Sequence, residues 1–557
     1  MHDLLIRDAQ LLDGLGGPPV AADLAVRDGK IAEIGQISAS ARETVDAAGR
    51  ALAPGIIDVH THYDAQLTWE ARCSPSPALG VTTVVIGNCG FCITPNRPAV
   101  RDMLIRNLSE VEGMSLDALE AGIDWRFESF GDYMDHLEKR GAVPNVAAFF
   151  GHSSLRCVVM GEDASARAAT AGELDQMAAM LRDGLDAGAI GFASSTFENH
   201  KGHGGVPMPS RLAEEAEFER LIDVLGAHGR GLFMVTAGER TTVDTLAGYA
   251  RRSGRPMVYA ALLHNERVPD YTHGILDDCR AAREAGLRIY GQVSCQPLSM
   301  TFTLDGAYPL YGVHPWGDLP IDDPAALRTA FADGEFRAAL RNSLATPAGS
   351  RIFNGDWSRV EVAASPAHPE LEGRTVTALA EDRGADPLDL FLDLALSEQL
   401  ATVYNAKLLN VVDEDVAAML RHPDSLISLS DAGAHLTFFC DAGYGLHLFG
   451  RWVRERDCFT LGEAVRELTS RPAEIYGIRD RGRLTPGAWA DMILFDPATV
   501  GIGGAERVSD LPAEQSRYIR RPTGMHGVWV NGVLVHDGAD YRDHDRPPGH
   551  ILRDFSA

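Results

Sequence analysis

The sequence lacks a long hydrophobic run. No stretch of its 557 residues approaches the roughly 18 apolar residues that a membrane-spanning helix needs, and no basic segment followed by an apolar one opens the chain. Clusters of lysine and arginine are also missing, and 78 acidic against 51 basic residues give a net charge of −27. That charge repels nucleic-acid phosphates and anionic membranes. We therefore expect a cytoplasmic protein without a nucleic-acid or membrane partner.

Cysteine is too scattered for a disulfide framework. The eight cysteines run from Cys73 to Cys458, a distribution typical of free thiols or metal ligands in a large intracellular protein. Cys89 and Cys92 form a CxxC pair, but a structural zinc site needs a second such pair, which the sequence lacks. A GxGxxG fingerprint is missing too, which argues against a dinucleotide-binding fold.

His60 and His62 are the most informative pair of residues. They end an apolar run that begins at Leu52, and because side chains alternate along a strand, both imidazoles point to one face. Two imidazoles on one face can hold a metal ion. The alternative is that both histidines are structural residues at the end of a strand. Other parts of the sequence are needed to distinguish the two interpretations.

Strand-like runs and amphipathic helical segments alternate along the chain, as in α/β proteins. The helical segments include 172–186 and 243–252. The predicted strands are 52–59, 81–88, 143–150, 187–195, 231–236, 257–264, 287–293 and 426–431. Eight near-continuous apolar strands separated by helices predict a (β/α)8 TIM-type barrel rather than an open doubly wound sheet.

Chemically active side chains fall at the ends of these predicted strands. The carboxyl ends of the strands of such a barrel form one face, from which catalytic groups project. The residues at these ends, in chain order, are His60, His62, Cys89, His152, His264 and Asp431. Each residue alone could be structural, but together they predict a metal-dependent hydrolase.

The run from Ala53 to His62, APGIIDVHTH, resembles the signature of the amidohydrolase superfamily. GVTTVVIGNCG, which contains Cys89, is similar to one branch, the N-acyl-D-amino-acid deacylases (D-aminoacylases). FESFGDY at Phe127 and GHSSLR at Gly151 also resemble that branch. The resemblance covers nearly the whole chain. It implies an HxH pair on the first barrel strand, an aspartate on the eighth, and a cysteine in place of a carboxylated lysine that bridges metals elsewhere.

Turn signals near both chain ends predict a second, smaller β domain. Asp28-Gly29 and Asn531-Gly532 each lie between two β-type runs. The resemblance implies a β-sandwich built from both chain ends around the barrel. We therefore expect residues 1–52 and 481–557, with a C-terminal tail, to form this domain, and 53–480 to form the barrel.

A long segment, 294–425, separates the last two predicted strands. It is too long for an ordinary connection, so it predicts an insertion, either a packing subdomain or a lid over the barrel mouth. The resemblance implies that the insertion covers the active site.

The donor types predict zinc, because imidazole, thiolate and carboxylate groups suit this ion, which lowers the pKa of a bound water to about 7. We expect one ion per chain, with two as the alternative. The predicted ligands are His60, His62, Cys89, His264 and Asp431. Asp431 is also the predicted general base and acid, and His152 is predicted to polarise the carbonyl, with a structural role as its alternative.

This chain departs from the deacylase pattern at two places. On the fifth strand those enzymes carry a histidine ligand that this chain lacks in the region around Thr236, which is why we expect one ion; Glu239 is a weaker candidate for an oxygen ligand there. After strands six and seven they carry a lysine and a tyrosine for the substrate carboxylate, and this chain has neither. The sequence therefore leaves open whether this protein recognises a carboxylate group on its substrate. The candidate substrate-binding residues are Arg156, Asn265, Arg267 and His435, the last of which could instead cap a helix.

Three functions remain compatible with the sequence. The favoured one is a zinc-dependent hydrolase that cleaves the amide bond of an N-acylated small molecule. The second is a hydantoinase- or dihydropyrimidinase-like enzyme that opens cyclic amides with the same metal chemistry. The third is a scaffold that kept the fold without catalysis, for which the missing histidine of strand five is the sign. A small-molecule amide is the expected partner, and assembly into a homo-oligomer is left open.

Overall fold

The computed structural model describes residues 1–320, 323–346, 353, 355–436 and 441–556. The strands are β1 (His2–Leu11), β2 (Val20–Arg27), β3 (Lys30–Gly35), β4 (Ala41–Asp46), β5 (Ala51–Pro54), β6 (Ile56–Asp58), β7 (Val81–Ile86), β8 (Asn145–Ala148), β9 (Phe150–Gly151), β10 (Gly191–Ser195), β11 (Leu232–Thr236), β12 (Met257–Leu262), β13 (Ile289–Val293), β14 (Leu298–Phe302), β15 (Val360–Ala364), β16 (Val403–Leu409), β17 (Ser425–Ile427), β18 (Met492–Phe495), β19 (Gly501–Val508), β20 (Arg517–Thr523), β21 (Met525–Val530) and β22 (Val533–His536).

The α-helices are α1 (Arg101–Glu112), α2 (Leu116–Gly122), α3 (Phe130–Arg140), α4 (His152–Met160), α5 (Ala171–Asp186), α6 (Glu215–His228), α7 (Val243–Ser253), α8 (Pro269–Glu284), α9 (Pro324–Ala332), α10 (Gly334–Ala345), α11 (Val376–Arg383), α12 (Pro387–Ser397), α13 (Asp413–Leu420), α14 (Tyr444–His447), α15 (Leu461–Leu468) and α16 (Ser470–Tyr476). A π-helical segment, Leu448–Glu455, follows α14. None of the described helices has the length and apolar character that crossing a membrane requires.

Strands from both chain ends form one eight-stranded sheet. Its order is β22-β21-β18-β5-β1-β2-β3, with β4 beside β1. The antiparallel pairing of β18 with β5 places Ile493 opposite Ala53. Leu24, Leu52 and Trp529 belong to a single buried apolar cluster. The two ends of the chain therefore share one core.

Two parallel sheets contain the strands that the alternating pattern predicts. One has the order β17-β13-β12-β11-β10-β9 and the other β6-β7-β8, with parallel pairing throughout. Each predicted strand overlaps an observed one, and the third is divided into β8 and β9. All six residues of β7, VTTVVI, are buried, as expected of β-branched residues in a sheet that is covered on both faces.

The apolar run 52–59 joins two sheets rather than forming a single strand. β5 pairs with β1 and β18, whereas β6 pairs with β7. The change occurs at Gly55, where an added Cβ would lie 2.2 Å from the Thr82 side chain. Because a glycine allows this close approach, the chain passes from the small sheet into the parallel sheet just before the two histidines.

Two of the helices between the parallel strands begin at capping boxes. Ser129 and Thr170 form capping boxes at the starts of α3 and α5. α4 begins differently, because its first residue, His152, directly follows Gly151, the last residue of β9. The chain therefore changes from strand to helix at His152, so the alternation of side chains along a strand does not determine where the His152 side chain lies.

The chain divides into two compact units. The first comprises Met1–Leu262, His273–Gln296 and Ala417–Ala557, and the second comprises Leu263–Thr272 and Pro297–Val416. The second unit spans most of the predicted insertion and adds the residues that follow β12.

The second unit has its own sheet and core. β16 lies between β14 and β15 and pairs antiparallel with both. The rings of Phe391 and Tyr404 have centroids 4.4 Å apart, and the Tyr404 hydroxyl donates to the Phe391 carbonyl at 2.8 Å. Helix α12 is thereby fixed against β16.

Candidate metal centre

His60 and His62 lie directly beyond β6. The backbone N–H of Thr61 donates to the carbonyl of Val85 at 3.1 Å, and that of His62 donates to the carbonyl of Ala432 at 2.7 Å. These bonds continue the extended geometry past the strand, so the two imidazoles share a face. Both rings are buried, and their centroids are 5.4 Å apart.

Cys89 supplies a third donor from the end of β7. Its backbone φ of 58° belongs to a tight turn, which places Sγ 3.4 Å from His60 Nε2. Donor atoms of His60, His62 and Cys89 all lie within 4.8 Å of one another. Thr236, at the end of β11, donates its hydroxyl hydrogen to Cys89 Sγ at 3.1 Å. The last residue of the fifth predicted strand thus contacts the thiol.

Asp431 reaches the same point from beyond β17. Its Oδ1 lies 3.1 Å from His60 Nε2 and 3.6 Å from His62 Nε2. The neighbouring Ser430 hydroxyl donates to the His60 carbonyl at 3.2 Å, which ties the two strand ends together. The Asp431 side chain is 23% exposed, so it is also open to a small molecule.

The Nδ1 contacts of the two histidines leave their Nε2 atoms facing the cluster. His60 Nδ1 lies 2.7 Å from Oε1 of Gln292 on β13, and because an amide oxygen can only accept, His60 donates from Nδ1. His62 Nδ1 lies 3.4 Å from Oε1 of Glu112, at the end of α1. His60 Nε2 is therefore the ring nitrogen that faces Cys89 and Asp431.

Charges within the cluster favour ionised ligands. Burial favours a neutral thiol, but the charge of His60 and hydrogen bonds to His60 and His62 outweigh it and lower the pKa of Cys89 to about 6. Burial also opposes ionisation of Asp431, yet the two histidines hold the pKa of its carboxyl well below the usual range. A thiolate, a carboxylate and two imidazoles make a donor set that fits a divalent zinc ion.

His152 and Arg156 lie in a different buried group. Both side chains are fully buried, and both pair with Glu217 of α6. The distance from His152 Nε2 to a carboxylate oxygen of Glu217 is 2.8 Å. His152 Nδ1 also lies 2.8 Å from the Ser194 hydroxyl, so both ring nitrogens are engaged. Both side chains are enclosed in this group, and the predicted catalytic role of His152 and the predicted substrate-binding role of Arg156 stay predictions.

His264, Asn265 and Arg267 belong to the second unit. The buried His264 ring faces Asp415, with Nε2 3.4 Å from a carboxylate oxygen. The Asn265 side chain accepts a hydrogen bond from the backbone N–H of Arg267 at 3.1 Å, which stabilises the turn between them. The predictions that these three residues bind metal or substrate stay predictions.

Glu112 and Gln292 contact the histidines, and sequence analysis missed both. Gln292 is a polar residue inside an apolar strand, a signal that can be read from the sequence. Glu112 ends an amphipathic helix remote in sequence from His62, and no local pattern identifies it. Its Oε2 lies 3.8 Å from Nε2 of His435, which is among the predicted substrate-binding residues.

His200 is a further missed residue near the cluster. Its Nδ1 lies 2.7 Å from the Ser195 hydroxyl at the end of β10, and its ring makes edge contacts with Phe91 and Phe197. Burial, and then the charge of His435, lower the pKa of His200 to about 3, so the ring is neutral at ordinary pH. It lies in an irregular loop without a repeating pattern.

Comparisons with known proteins agree with this geometry. The sequence pattern of the amidohydrolase family matches residues 43–536. From Alcaligenes xylosoxydans xylosoxydans, N-acyl-D-glutamate deacylase is 29% identical over 99% of this chain and 96% of its own length, and D-aminoacylase is 30% identical over 96% and 94%. The crystal structure of N-acyl-D-glutamate deacylase from Bordetella bronchiseptica, with zinc and a phosphonate inhibitor, superposes with a TM-score of 0.65 at 26% identity and covers 99% of this chain and 100% of its own.

The similarity to enzymes of cyclic amides is shorter. D-hydantoinase of Rhizobium radiobacter is 37% identical over 16% of this chain and 20% of its own length. The family pattern and the deacylase relatives, by contrast, extend over nearly the whole sequence. The chain therefore belongs to the amidohydrolase family and is a hydrolase of carbon–nitrogen bonds other than peptide bonds.

Proposed function

We propose that this protein removes the acyl group from N-acyl-D-amino acids or closely related N-acylated small molecules, and that it does so with one zinc ion. The observation that carries the proposal is the convergence of two imidazole Nε2 atoms, a thiol and a carboxylate at the ends of three neighbouring strands. The substrates that the names of the deacylase relatives state support the substrate class.

The proposed ligands are His60, His62, Cys89 and Asp431. When bound, zinc would polarise the amide carbonyl and make a water molecule acidic enough to attack it near neutral pH. The proposal of one ion rests on the absence of a histidine from the strand that ends at Thr236; the Thr236 hydroxyl donates a hydrogen bond to Cys89 Sγ there. His264, in the second unit, remains a sequence-based candidate for an additional ligand.

Asp431 is the proposed general base and acid. Because its carboxyl pKa is held well below the usual range, the side chain is ionised at neutral pH and can accept a proton at a carboxylate oxygen. It would take this proton from the attacking water and pass it to the amide nitrogen as the C–N bond breaks. Its partial exposure is compatible with contact to a substrate.

His152 and Arg156 are proposed to support the scaffold instead of acting on the substrate. Their pairing with Glu217 joins α4 to α6 in the layer of helices. His435 remains a proposed substrate contact, because its ring lies beside Glu112 and is 22% exposed.

We also propose that the two parallel sheets are parts of one (β/α)8 barrel. Two observations support closure: β8 leads into β9 through the single residue Phe149, and Thr61 pairs in parallel with Ala432 beyond β6 and β17. The sheet built from both chain ends would then form the proposed β-sandwich of residues 1–52 and 481–557, with 294–425 as the insertion.

The proposed activity is tested by amine release from zinc-supplemented protein. The panel comprises N-acetyl-D-amino acids, their L-enantiomers, the corresponding carboxamides and hydantoins. D-selective turnover that is lost in Asp431→Asn is the expected result. Turnover restricted to hydantoins would instead establish the cyclic-amide alternative, and zinc binding without any turnover would favour a scaffold.

A further inference from the structure

Glu112 is a buried carboxylate whose charged partners are unusual. It is the last residue of α1 and is 3% exposed. Among the described residues, its ion-pair partners are two imidazoles, His62 Nδ1 at 3.4 Å from Oε1 and His435 Nε2 at 3.8 Å from Oε2. Removing a carboxylate from water costs free energy that partners must offset. A carboxylate that serves stability alone would be expected to face an arginine or lysine, as Glu217 faces Arg156.

Backbone contacts hold Glu112 in this position. The backbone N–H of His435 donates to the Glu112 carbonyl oxygen, which joins the end of α1 to the loop beyond β17. That loop passes His62 closely, since an added Cβ at Gly433 would lie 2.7 Å from the His62 carbonyl carbon. The location of the carboxylate relative to His62 is therefore set by the backbone on both sides.

We propose that Glu112 is a positioning residue for the metal centre: its carboxyl group lies at ion-pair distance, 3.4 Å, from His62 Nδ1, a buried nitrogen without a hydrogen-bond partner among the described residues, and it would accept the Nδ1 proton and so orient His62 Nε2 toward the donor cluster. The inference deepens the proposed function, because it rests on the same metal site. Gln292 has the corresponding contact to His60 Nδ1 at 2.7 Å. Glu112 differs from Gln292 in being a carboxylate, and a carboxylate that accepts from a ligating histidine makes that histidine a stronger donor to the metal.

The same carboxyl group contacts both a proposed metal ligand and a proposed substrate-binding residue. One of its oxygens faces His62, a proposed ligand, and the other faces His435, a proposed substrate contact. Glu112 therefore lies between the two rings, with one oxygen toward each.

The test compares zinc affinity in the full-length protein and two variants. Glu112→Gln is nearly isosteric but carries an amide that cannot ionise. Glu110→Gln changes an exposed glutamate of the same helix and is the matched control. Affinity is measured by competition with a chromophoric chelator, and the ligand field is monitored by the visible absorption of bound Co²⁺.

Glu112→Gln should bind zinc about 10-fold to 100-fold more weakly and should shift the Co²⁺ absorption bands. Glu110→Gln should match the unmodified protein within about twofold, and the thermal unfolding of all three chelator-treated proteins should coincide. The proposal is overturned if Glu112→Gln keeps its zinc affinity and Co²⁺ spectrum. It is also overturned if the loss of affinity accompanies a loss of thermal stability, which would indicate a purely structural role.

These measurements separate the inference from the proposed function. If the unmodified protein binds zinc no better than His62→Ala, the proposed metal site itself fails, and the inference fails with it. If the protein binds zinc but hydrolyses no N-acyl-D-amino acid, the substrate assignment alone fails. The comparison of Glu112→Gln with Glu110→Gln then still decides the role of Glu112.

Discussion

Replacing Glu217 with glutamine tests whether His152 and Arg156 belong to the scaffold. Glu217 is 2% exposed, and its two oxygens face the fully buried side chains of Arg156 and His152. The amide keeps the shape of the carboxylate but leaves the Arg156 guanidinium buried without a counter-charge. Breaking a buried ion pair in this way costs about 3–5 kcal/mol.

Glu219→Gln is the matched control. Glu219 lies on the same helix, two residues further along, and pairs with Arg252 at 3.3 Å, but both side chains are substantially exposed. Because solvent screens exposed pairs, this variant should change the free energy of unfolding little.

The assay is urea denaturation of the three proteins, together with kcat/KM for the best N-acyl substrate well below the unfolding transition. Glu217→Gln should unfold at clearly lower urea, while its kcat/KM stays within about a factor of two. The reasoning is refuted if Glu217→Gln is as stable as Glu219→Gln. It is equally refuted if Glu217→Gln loses activity without losing stability, since His152 or Arg156 would then act on the substrate.

Three further predictions concern the cluster and one titrating group. Asp431→Asn should lower kcat by about 10²–10⁴-fold, measured by amine release at saturating substrate. Cys89→Ser should weaken zinc binding by at least about tenfold in chelator competition, and wild-type affinity in this variant would remove Cys89 from the ligand set. Burial, assisted by Arg451 and Arg520, lowers the pKa of His447 from 6.5 to about 4. The unfolded chain therefore binds a proton below pH 6.5 that the folded protein does not bind until about pH 4. The associated stability is fully present above about pH 6.5 and is lost progressively as the pH falls from about 6.5 through about 4, by up to about 3 kcal/mol in total. Urea denaturation at neutral pH and near pH 4 should show a smaller loss for His447→Gln, and an equal loss would contradict the assignment.

The grouping of the proposed metal ligands could be predicted from sequence because it follows local rules. Alternation along a strand places His60 and His62 on one face, and the parallel order of the strands brings Cys89 and Asp431 to the same end. Both rules use information within one strand or the repeat of strand and helix. The three donors His60, His62 and Cys89 accordingly lie together in the structure.

The position of the His152 side chain could not be predicted from the alternation of a strand. It follows an apolar run just as His62 does, but it is already the first residue of α4. The alternation of a strand does not extend into a helical residue. Arg156 lies four residues later, on the same face of α4, so both side chains meet Glu217 of α6.

Glu112 could not be predicted, because its contact to His62 joins residues 50 positions apart through tertiary structure. Its spacing along α1 suggests only an amphipathic helix. The absence of a histidine around Thr236, in contrast, can be seen in the sequence as a departure from the family pattern. The hydrogen bond from Thr236 to Cys89 could not be predicted from the sequence.

The most direct test of the central claim is a titration of chelator-treated protein with zinc, followed by the rate of hydrolysis of an N-acyl-D-amino acid. One zinc ion at His60, His62, Cys89 and Asp431 predicts that activity rises linearly and reaches its plateau at one equivalent. A plateau at two equivalents, or full activity in the metal-free protein, would contradict the account.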